Sequence, residues 1–141
     1  MLCFEVVNLI VKTNKRVLVI TDDSEETVKM AAGIVTALKG NKVVLKTASD
    51  FKGNDILPVE AFFLGCEKSQ PESFSYLADL LKHINLSGRT CGVFSPGPEK
   101  TVKYLAGLLK DCEAVLNPQP LIGGSAGAVK KWAQNVLSGS F

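Results

Sequence analysis

The sequence predicts a single α/β domain built on a doubly wound parallel sheet with helices on both faces. Short runs of β-branched residues alternate with helical patterns at least four times along 141 residues. The strand runs are continuously apolar, which is typical of strands buried on both faces between two layers of helices. A chain of this length forms one domain with a substantial core.

The first half of the chain contains three predicted strands and one predicted helix. The strands cover residues 16–21 (RVLVIT), 42–47 (KVVLKT) and 61–65 (AFFLG). Residues 27–39 form a helix that ends at Gly40 and Asn41. Its apolar face contains Val28, Ala31, Ala32, Val35 and Leu38. A loop that contains Gly53, Asn54, Asp55 and Pro58 is expected to lead into the third strand.

The second half continues the alternation. A helix begins at Pro71 and is broken by Gly88, and another begins at Pro98. Their buried positions are predicted to be Phe74, Leu77, Leu81 and Ile84 in the first, and Val102, Leu105, Leu109 and Cys112 in the second. Residues 89–95 form the strand between them. Residues 113–122 form a last strand region that Pro118 and Pro120 interrupt. After Gly123 and Gly124, Ser125 caps a final helix that buries Val129, Trp132, Ala133 and Val136.

The first fifteen residues, MLCFEVVNLIVKTNK, precede this alternation. They have no basic residue before the apolar stretch and no small-residue cleavage site, which argues against a targeting signal. The stretch is also too short to span a bilayer. We expect residues 1–15 to be an N-terminal extension, an extra edge strand or a packing segment, on a domain of residues 16–141. A misassigned start codon is the alternative.

Charge and cysteine content exclude several classes of function. The net charge is +2 and the lysines are spread over helix faces, so we expect neither a nucleic-acid partner nor a membrane partner. The four cysteines (Cys3, Cys66, Cys91, Cys112) form no CxxC motif, and His83 is the single histidine, which argues against a zinc site. We predict free thiols in a reducing cytoplasm, with two disulfides as the alternative.

Ligands bind such sheets at the carboxyl ends of the strands, which here are residues 21–27, 47–51, 65–72 and 95–100. The first of these segments, TDDSEET, contains four carboxylates at a strand-to-helix turn, where proteins usually bind anions. The simplest interpretation is that Asp23 or Ser24 caps the helix, with Glu26 or Thr27 reaching back. Acidic residues in a first helical turn are favourable without any ligand.

The segments VLVITDDSEETVKMA and AFFLGCEKSQPESFSYLADLLKHINLSGRTCGVFS follow the layout of a known family. Over residues 16–137 the chain resembles a short-chain flavodoxin. The resemblance implies a flavodoxin-like five-stranded sheet in the order 2-1-3-4-5, an ancestry in electron transfer, and FMN as the cofactor. The family's phosphate loop reads approximately S-x-T-G-N-T, which falls on residues 22–27. Ser24 and Thr27 keep its hydroxyls, whereas Asp22, Glu25 and Glu26 replace its Ser, Gly and Asn.

The resemblance makes three loops the candidate cofactor site. Its residues would be Asp22, Asp23, Ser24, Glu25, Glu26, Thr27, Cys66, Glu67, Lys68, Ser95, Pro96 and Gly97. Carboxylates at the phosphate loop would repel a phosphate, and the loops after the third and fourth strands contain no aromatic residue. Most aromatic side chains are predicted to lie in strands or in the core, which leaves Tyr76 as the remaining candidate for stacking.

We therefore expect a flavodoxin-like protein that binds FMN weakly or not at all, and an electron carrier or binding module rather than an enzyme. The alternative is a non-enzymatic interaction module that kept the scaffold without the cofactor. In either case the redox or interaction partner is not indicated by the sequence.

Two other chemistries are weaker. A response-regulator receiver domain would also place acids such as Asp22 and Asp23 after the first strand, but Gly65 and Cys66 stand where its phosphoacceptor should be. Cys66 could be a reactive thiol if Lys68 lowered its pKa, although a buried unreactive cysteine is the commoner case. The GGSAG run at 123–127 lacks the spacing of a phosphate loop.

Overall fold

The computed structural model describes residues 14–139 and 141. Its strands are β1 (Arg16–Thr21), β2 (Lys42–Thr47), β3 (Ala61–Gly65), β4 (Thr90–Ser95), β5 (Val115–Leu116) and β6 (Leu121–Ile122). Its helices are α1 (Glu25–Ala37), α2 (Gly53–Ile56), α3 (Ser75–Leu81), α4 (Glu99–Leu108) and α5 (Ala126–Ser138). The predicted extension of residues 1–15 lies almost wholly outside the described residues.

All strand pairs are parallel, and the order is β2-β1-β3-β4-β5, with β6 also paired to β4. The register aligns the carboxyl ends of the central strands, because Thr21 lies opposite Thr47 on one side and Gly65 on the other. The predicted order and the doubly wound architecture are confirmed. The change of direction in strand order falls between β1 and β3, where ligands bind such sheets.

Two apolar layers cover the sheet, and alternate residues of β1 belong to different layers. Leu18 and Ile20 face α2, α3 and α4, whereas Val17 and Val19 face α1 and α5. Every strand residue of β3 is buried, as the continuous run AFFLG predicted. Burial on both faces removes the polar–apolar alternation of half-exposed strands, which is why this pattern identifies a central parallel strand.

Trp132 anchors α5 on the second layer. Its ring lies 5.5 Å from that of Phe63 and 6.3 Å from that of Phe94, both in edge-on geometry. Its Nε1 donates a hydrogen bond to the carbonyl of Gln119 at 2.7 Å, so the one polar atom of the indole is satisfied. A Cβ at Gly92 would lie 2.7 Å from the Trp132 ring, so the close approach of α5 to β4 requires glycine there.

The fifth strand position is divided into two short segments, as the two prolines predicted. Val115 and Leu116 pair with the start of β4, and Leu121 and Ile122 pair with its end. Between them the carboxamide of Asn117 accepts a hydrogen bond from the Gln119 N–H at 2.9 Å. This turn supplies the carbonyl that Trp132 uses, so the interruption contributes to the packing of α5.

Several predicted boundaries are wrong. The first helix covers residues 25–37 and not 27–39. The segment expected to be a loop contains the one-turn helix α2, stabilised by the Asp55 carboxylate, which accepts bonds from Lys52 N at 2.8 Å and Lys46 Nζ at 3.0 Å. Pro71 leads into a 3₁₀ turn, Glu72–Phe74, before α3.

The helix α3 ends at Leu81 rather than near Gly88. The chain leaves the helix early because Leu86 is fully buried and its N–H donates to the carbonyl of Cys112 at 2.6 Å. His83 is therefore not on a helix, and it is exposed. Within the part of the chain that the structure describes, no helix has the length and hydrophobicity needed to cross a membrane.

Candidate site at the carboxyl ends of β1, β3 and β4

Three neighbouring strands end at one edge of the sheet and bring the predicted loops together. Asp22 follows β1, Cys66 follows β3 and Pro96 follows β4. Because the strands are parallel and in register, these loops lie side by side above the switch point.

Asp22 links the first two loops. It is only 7% exposed, although it carries a carboxylate. Its Oδ1 accepts a hydrogen bond from Ser24 N at 3.2 Å, and its Oδ2 accepts one from Glu67 N at 2.9 Å. Its own N–H donates to the carbonyl of Gly65 at 3.2 Å. A buried carboxylate is stable only when its oxygens are hydrogen bonded, so Asp22 is a structural connection between the loops.

Glu67 extends this connection. Its side-chain Oε2 accepts a hydrogen bond from Ser24 Oγ at 3.0 Å, and its carbonyl accepts one from Thr101 Oγ1 at 3.2 Å. The loop after β1 and the helix α4 thus both form hydrogen bonds to Glu67, which lies in the loop after β3. We call the group Asp22, Ser24, Glu67, Gly97 and Thr101 the loop junction.

The β4 loop packs closely against the same residue. A Cβ at Gly97 would lie 2.9 Å from the Glu67 carbonyl oxygen, so this position admits no larger side chain without movement. The Gly97 N–H donates to the buried hydroxyl of Ser95 at 3.0 Å, which fixes the turn. Pro96, between them, is half-buried. Ser95 and Gly97 therefore hold the third loop against the first two.

Helix α1 begins without the predicted side-chain cap. Ser24 is the N-cap residue, but its hydroxyl bonds to Glu67 and makes no cap bond. Asp23, Glu25 and Glu26 are exposed, and both glutamates lie near Lys29 Nζ, at 3.9 Å and 3.8 Å. The prediction that a side chain caps this helix is thus wrong. The first-turn acids remain favourable for the helix dipole, and they point into solvent.

Two threonines at this edge have buried hydroxyls. The Oγ1 atoms of Thr21 and Thr27 have no hydrogen-bond partner among the described residues, and both side chains are almost completely inaccessible. Unsatisfied buried hydroxyls are uncommon in proteins. The Thr27 hydroxyl that the flavodoxin resemblance assigned to phosphate therefore lies beneath the surface of the loop.

Cys66 is buried and its thiol is not activated. Burial raises the pKa of Cys66 to about 12, with a further contribution from the Asp22 charge. Lys68 is exposed and does not offset these effects. The hypothesis of a reactive thiol at this position is wrong, because nucleophilic cysteines need a lowered pKa. Cys66, Cys91 and Cys112 are all free and buried, as the free-thiol prediction requires for these three.

Tyr76 belongs to a different part of the surface. It is 51% exposed, its Oη accepts a hydrogen bond from Gly53 N at 3.0 Å, and its ring lies 5.9 Å from that of Phe51. These residues line a cavity of about 630 Å³ between the segment after β2 and the start of α3. A second cavity, of about 530 Å³, lies between α1 and α5. Neither cavity is lined by a member of the loop junction.

The site has no constellation typical of a metal centre. Among the described residues, no three His, Cys, Asp or Glu side chains are grouped so that they could hold an ion. The carboxylates of Asp22 and Glu67 are instead used in hydrogen bonds to backbone and hydroxyl donors.

The architecture matches solved flavodoxin structures at low sequence identity. A short-chain flavodoxin associated with a bacterial microcompartment has a TM-score of 0.79 at 15% identity, and the match covers 91% of this chain and 99% of that one. For flavodoxin 2 from Bacillus cereus the values are 0.76 and 18%, over 89% and 99% of the chains. A Fusobacterium nucleatum flavodoxin bound to flavin mononucleotide has 0.65 and 12%, over 89% and 96%.

The chain has a flavodoxin-like fold. No family model and no curated protein sequence matches it, so the likeness is one of architecture. Within this flavodoxin-like chain, the structure brings Asp22, Ser24 and Glu67 into direct contact and places Ser95 and Gly97 beside them. Four other predicted site residues are exposed to solvent and lie outside the junction: Asp23, Glu25, Glu26 and Lys68.

Thr101 is the member of the junction that the sequence did not indicate. It is fully buried on the first turn of α4, three residues after Pro98. A lone threonine in a first helical turn is ordinary, and the partner carbonyl lies 34 positions away in the chain. The sequence feature nearest to Thr101 is the small-residue loop SPGP. It indicates that another segment of the chain packs closely against this loop, but it does not identify that segment.

Proposed function

We propose that this chain is a flavodoxin-like protein of electron-transfer ancestry whose FMN site is compromised, so that it binds FMN weakly or not at all. One observation carries the proposal: the hydroxyl of Ser24 donates to the carboxylate of Glu67 at 3.0 Å. The position that should offer a donor to a phosphate is therefore used by an anion of the protein itself.

The rest of the phosphate loop supports the same conclusion. The Thr27 hydroxyl is inaccessible, and Ser24 N donates to Asp22. A phosphate in this loop would lie close to the carboxylates of Asp22 and Glu67. Two like charges 4 Å apart repel by about 1 kcal/mol in water and several times more where water is excluded. The residues present thus do not fit the phosphate of FMN.

The loops that would contact the flavin ring also lack aromatic residues. Residues 66–71 and 96–98 contain no aromatic side chain, and Phe62, Phe63 and Phe94 are fully buried. Tyr76 contacts the segment after β2 and lies outside the loop junction. An aromatic stacking contact contributes about 1 kcal/mol, so its absence would weaken flavin binding further.

The alternative function is a non-enzymatic interaction module that uses the flavodoxin scaffold without a cofactor. The specific observation that favours it is the satisfied interior of the junction: Asp22, Glu67 and Thr101 already bond to one another's loops. Hydrogen bonds between groups of the protein itself therefore connect these loops. We place the protein in the cytoplasm, which the three free buried thiols support.

The decisive experiment is a titration of FMN fluorescence with the purified protein of residues 1–141, using the Fusobacterium nucleatum flavodoxin, whose structure contains flavin mononucleotide, as the positive control. We expect the reference protein to quench FMN at stoichiometric concentrations. The present chain should leave the fluorescence unchanged in the same range. Flavin absorption bands that persist through gel filtration would refute the proposal, because they require tight binding despite the carboxylates.

The interaction-module alternative makes a separate prediction. If the scaffold works without flavin, the thermal midpoint of the protein should not move when FMN is added in large excess, since a ligand that binds only the folded state raises it. A clear increase in midpoint would exclude the cofactor-free module and leave the weak flavin binder.

A further inference from the structure

We propose that the sheet face above the first halves of β1 and β2 binds a small amphipathic carboxylate, at a site separate from the loop junction. The site is a cavity of about 390 Å³, at the lower end of the size range of small-molecule pockets. It lies near the amino ends of the two strands, whereas the loop junction lies at the carboxyl ends. Its lining combines an apolar floor, an apolar wall and two cations, which are respectively Leu18 and Val44, Pro58 and Val59, and Arg16 and Lys42.

The parallel register places the floor and the two cations on one face of the sheet. Arg16 lies opposite Lys42, and Leu18 lies opposite Val44. Residues paired across parallel strands, and alternate residues along each strand, point to the same face. Adjacent strands are about 4.8 Å apart, so the two cationic side chains leave the sheet side by side. Along both strands a positive charge is therefore followed by an apolar residue.

This face is open because the helix that follows β2 is short. Helix α2 has four residues and rises about 6 Å, whereas the six residues of β2 extend over about 20 Å. The helix contacts β2 near its carboxyl end, where Asp55 Oδ1 lies 3.0 Å from Lys46 Nζ. Val44, two positions earlier on the same face, is 49% exposed. An apolar ligand would bury surface that α2 leaves in contact with water.

The charges that line the cavity favour an anion. Arg16 and Lys42 are exposed, and neither side chain forms an ion pair in the described part of the chain. Among the described lining residues Asp55 alone carries a carboxylate, and it accepts hydrogen bonds from Lys52 N at 2.8 Å and Lys46 Nζ at 3.0 Å. These two bonds hold the pKa of Asp55 below its ordinary value. Asp55 therefore compensates Lys46, and the two adjacent cations, which repel each other, are left for a ligand.

Hydrogen bonds fix the apolar wall. Arg89 donates from Nη2 to the carbonyl of Leu57 at 2.6 Å and from Nε to that of Val59 at 3.3 Å. Glu60 N donates to the carbonyl of Arg16 at 2.9 Å, which joins the wall to β1. A wall fixed in this way needs little rearrangement when a ligand binds. The volume fits one short hydrocarbon chain, whereas a helix about 10 Å wide would not enter it.

Titration of octanoate into isotope-labelled protein of residues 1–141, followed by NMR, tests the proposal. We expect saturable shifts at the amides of Val44 and Val59, with a Kd on the order of 1 mM for a ligand of about ten non-hydrogen atoms. Acetate has the charge without the chain, and 1-octanol has the chain without the charge. Both should bind at least about fivefold more weakly than octanoate. The variant Arg16→Gln/Lys42→Gln should also bind octanoate about fivefold more weakly, since two exposed ion pairs are together worth about that factor.

The matched control is Lys100→Gln/Lys110→Gln, which makes the same change in net charge at two exposed lysines outside the cavity. Its affinity for octanoate should equal that of the unmodified protein. All four substituted side chains are exposed, and the amide spectrum shows whether each variant is folded. The absence of saturable shifts at Val44 and Val59 would overturn the proposal. So would equal affinities for octanol and octanoate, or an equal loss in the two double variants, which would indicate the net charge of the protein instead.

The same amphipathic carboxylate occurs as a free acid and as a component of a bilayer. Sedimentation with phosphatidylcholine vesicles that contain oleate separates these two sources. The proposal assigns the free acid, so we expect the protein to stay in the supernatant. Sedimentation with the vesicles that is lost in Arg16→Gln/Lys42→Gln would overturn the assignment to a free ligand, because the two cations would then recognise a membrane surface.

Discussion

The carboxylate of Asp22 accepts a hydrogen bond from the backbone N–H of Glu67 at 2.9 Å, across 45 positions of the sequence. Through this bond the loop after β1 is fixed to the loop after β3. Because the other oxygen of Asp22 accepts from Ser24 N, one buried side chain determines the shape of the turn that leads into α1.

Replacing Asp22 should therefore cost stability. We expect Asp22→Ala to lower the free energy of unfolding by about 2 kcal/mol, since hydrogen bonds to charged groups are each worth about 1.5–3 kcal/mol. Asp22→Asn should also destabilise the protein. Both oxygens of Asp22 accept hydrogen bonds from backbone N–H groups, and the NH₂ group of asparagine would place a donor opposite one of these donors. Urea denaturation measures both. Asp23→Ala is the control: that residue is exposed, and its change should stay within about 0.5 kcal/mol. Equal effects at the two positions would contradict the role of Asp22.

Removal of the Glu67 side chain should strengthen the binding of FMN. Glu67→Ala frees the Ser24 hydroxyl and removes a carboxylate from the loop. The repulsion of about 1 kcal/mol expected at 4 Å in water corresponds to roughly fivefold in affinity. The measurement is a fluorescence titration with FMN and with riboflavin, which has no phosphate. Riboflavin binding should not change.

Glu25→Gln/Glu26→Gln provides the matched control for that experiment. These carboxylates are exposed and lie near Lys29, so their neutralisation should alter FMN affinity less than Glu67→Ala does. A larger gain from the exposed pair would show that long-range charge, and not the Ser24–Glu67 contact, is the obstacle. A gain for riboflavin as large as for FMN would indicate a widened pocket instead.

The fold could be predicted from the sequence because its determinants are local. Continuous apolar runs identified β1, β3 and β4 to within a residue, since strands covered on both faces need no polar positions. The end of α3 was not predictable in this way. It depends on Leu86, which is held by the carbonyl of Cys112, 26 positions away in the chain.

The sequence predicted which loops lie together, but it did not predict the contacts between them. The acidic residues between positions 22 and 26 resembled a helix cap. Sequence rules for helix capping do not distinguish one of these carboxylates from another. In the structure Asp22 is buried and bonded to the β3 loop, whereas Asp23 is exposed. The difference is produced by Glu67, which reaches the first loop only because β1 and β3 are neighbours in the sheet. A contact between loops of different strands has no signature in either loop alone.

The three buried thiols should be unreactive in the folded protein. Burial raises the pKa of Cys66 and of Cys91 to about 12, and it raises the pKa of Cys112 as well. Since the thiolate is the reactive form, a Cys3→Ser variant should show no fast-reacting thiol with a disulfide reagent at pH 8. All three should react after denaturation. One fast thiol in the folded variant would contradict the assignment, and adding Cys66→Ala would show whether that thiol is Cys66.

The same pKa shifts predict loss of stability at alkaline pH. In the unfolded chain these thiols have the ordinary value of 9.0, whereas Cys66 and Cys91 have about 12 when folded. Above pH 9 the unfolded state releases protons that the folded state keeps, so the free energy of unfolding falls with pH. At pH 10 the loss is about 1.4 kcal/mol for each thiol. Urea denaturation from pH 8 to 10 should show it, and Cys66→Ala/Cys91→Ala should flatten the slope.

Gly65 should tolerate no side chain, although it lies at the end of a strand. A Cβ there would overlap the Cε2 and Cζ atoms of the Phe94 ring, which is fully buried. We expect Gly65→Ala to destabilise the protein by about 1–3 kcal/mol, the usual cost of overpacking a core. Gly107→Ala is the control. It lies exposed in α4 with no atom within 4 Å of the added Cβ, so it should stabilise the helix by up to about 1 kcal/mol.

The effect of Gly65→Ala should also reach the loop junction, because the Gly65 carbonyl accepts the Asp22 N–H at 3.2 Å. If displacement of Phe94 shifts that carbonyl, the bonds of Asp22 are already weakened in the variant. The cost of Asp22→Ala should then be smaller in the Gly65→Ala background than in the unmodified protein. Urea denaturation of the two single variants and the double variant measures this coupling. Strict additivity would mean that the core change stops at Phe94 and leaves the junction intact.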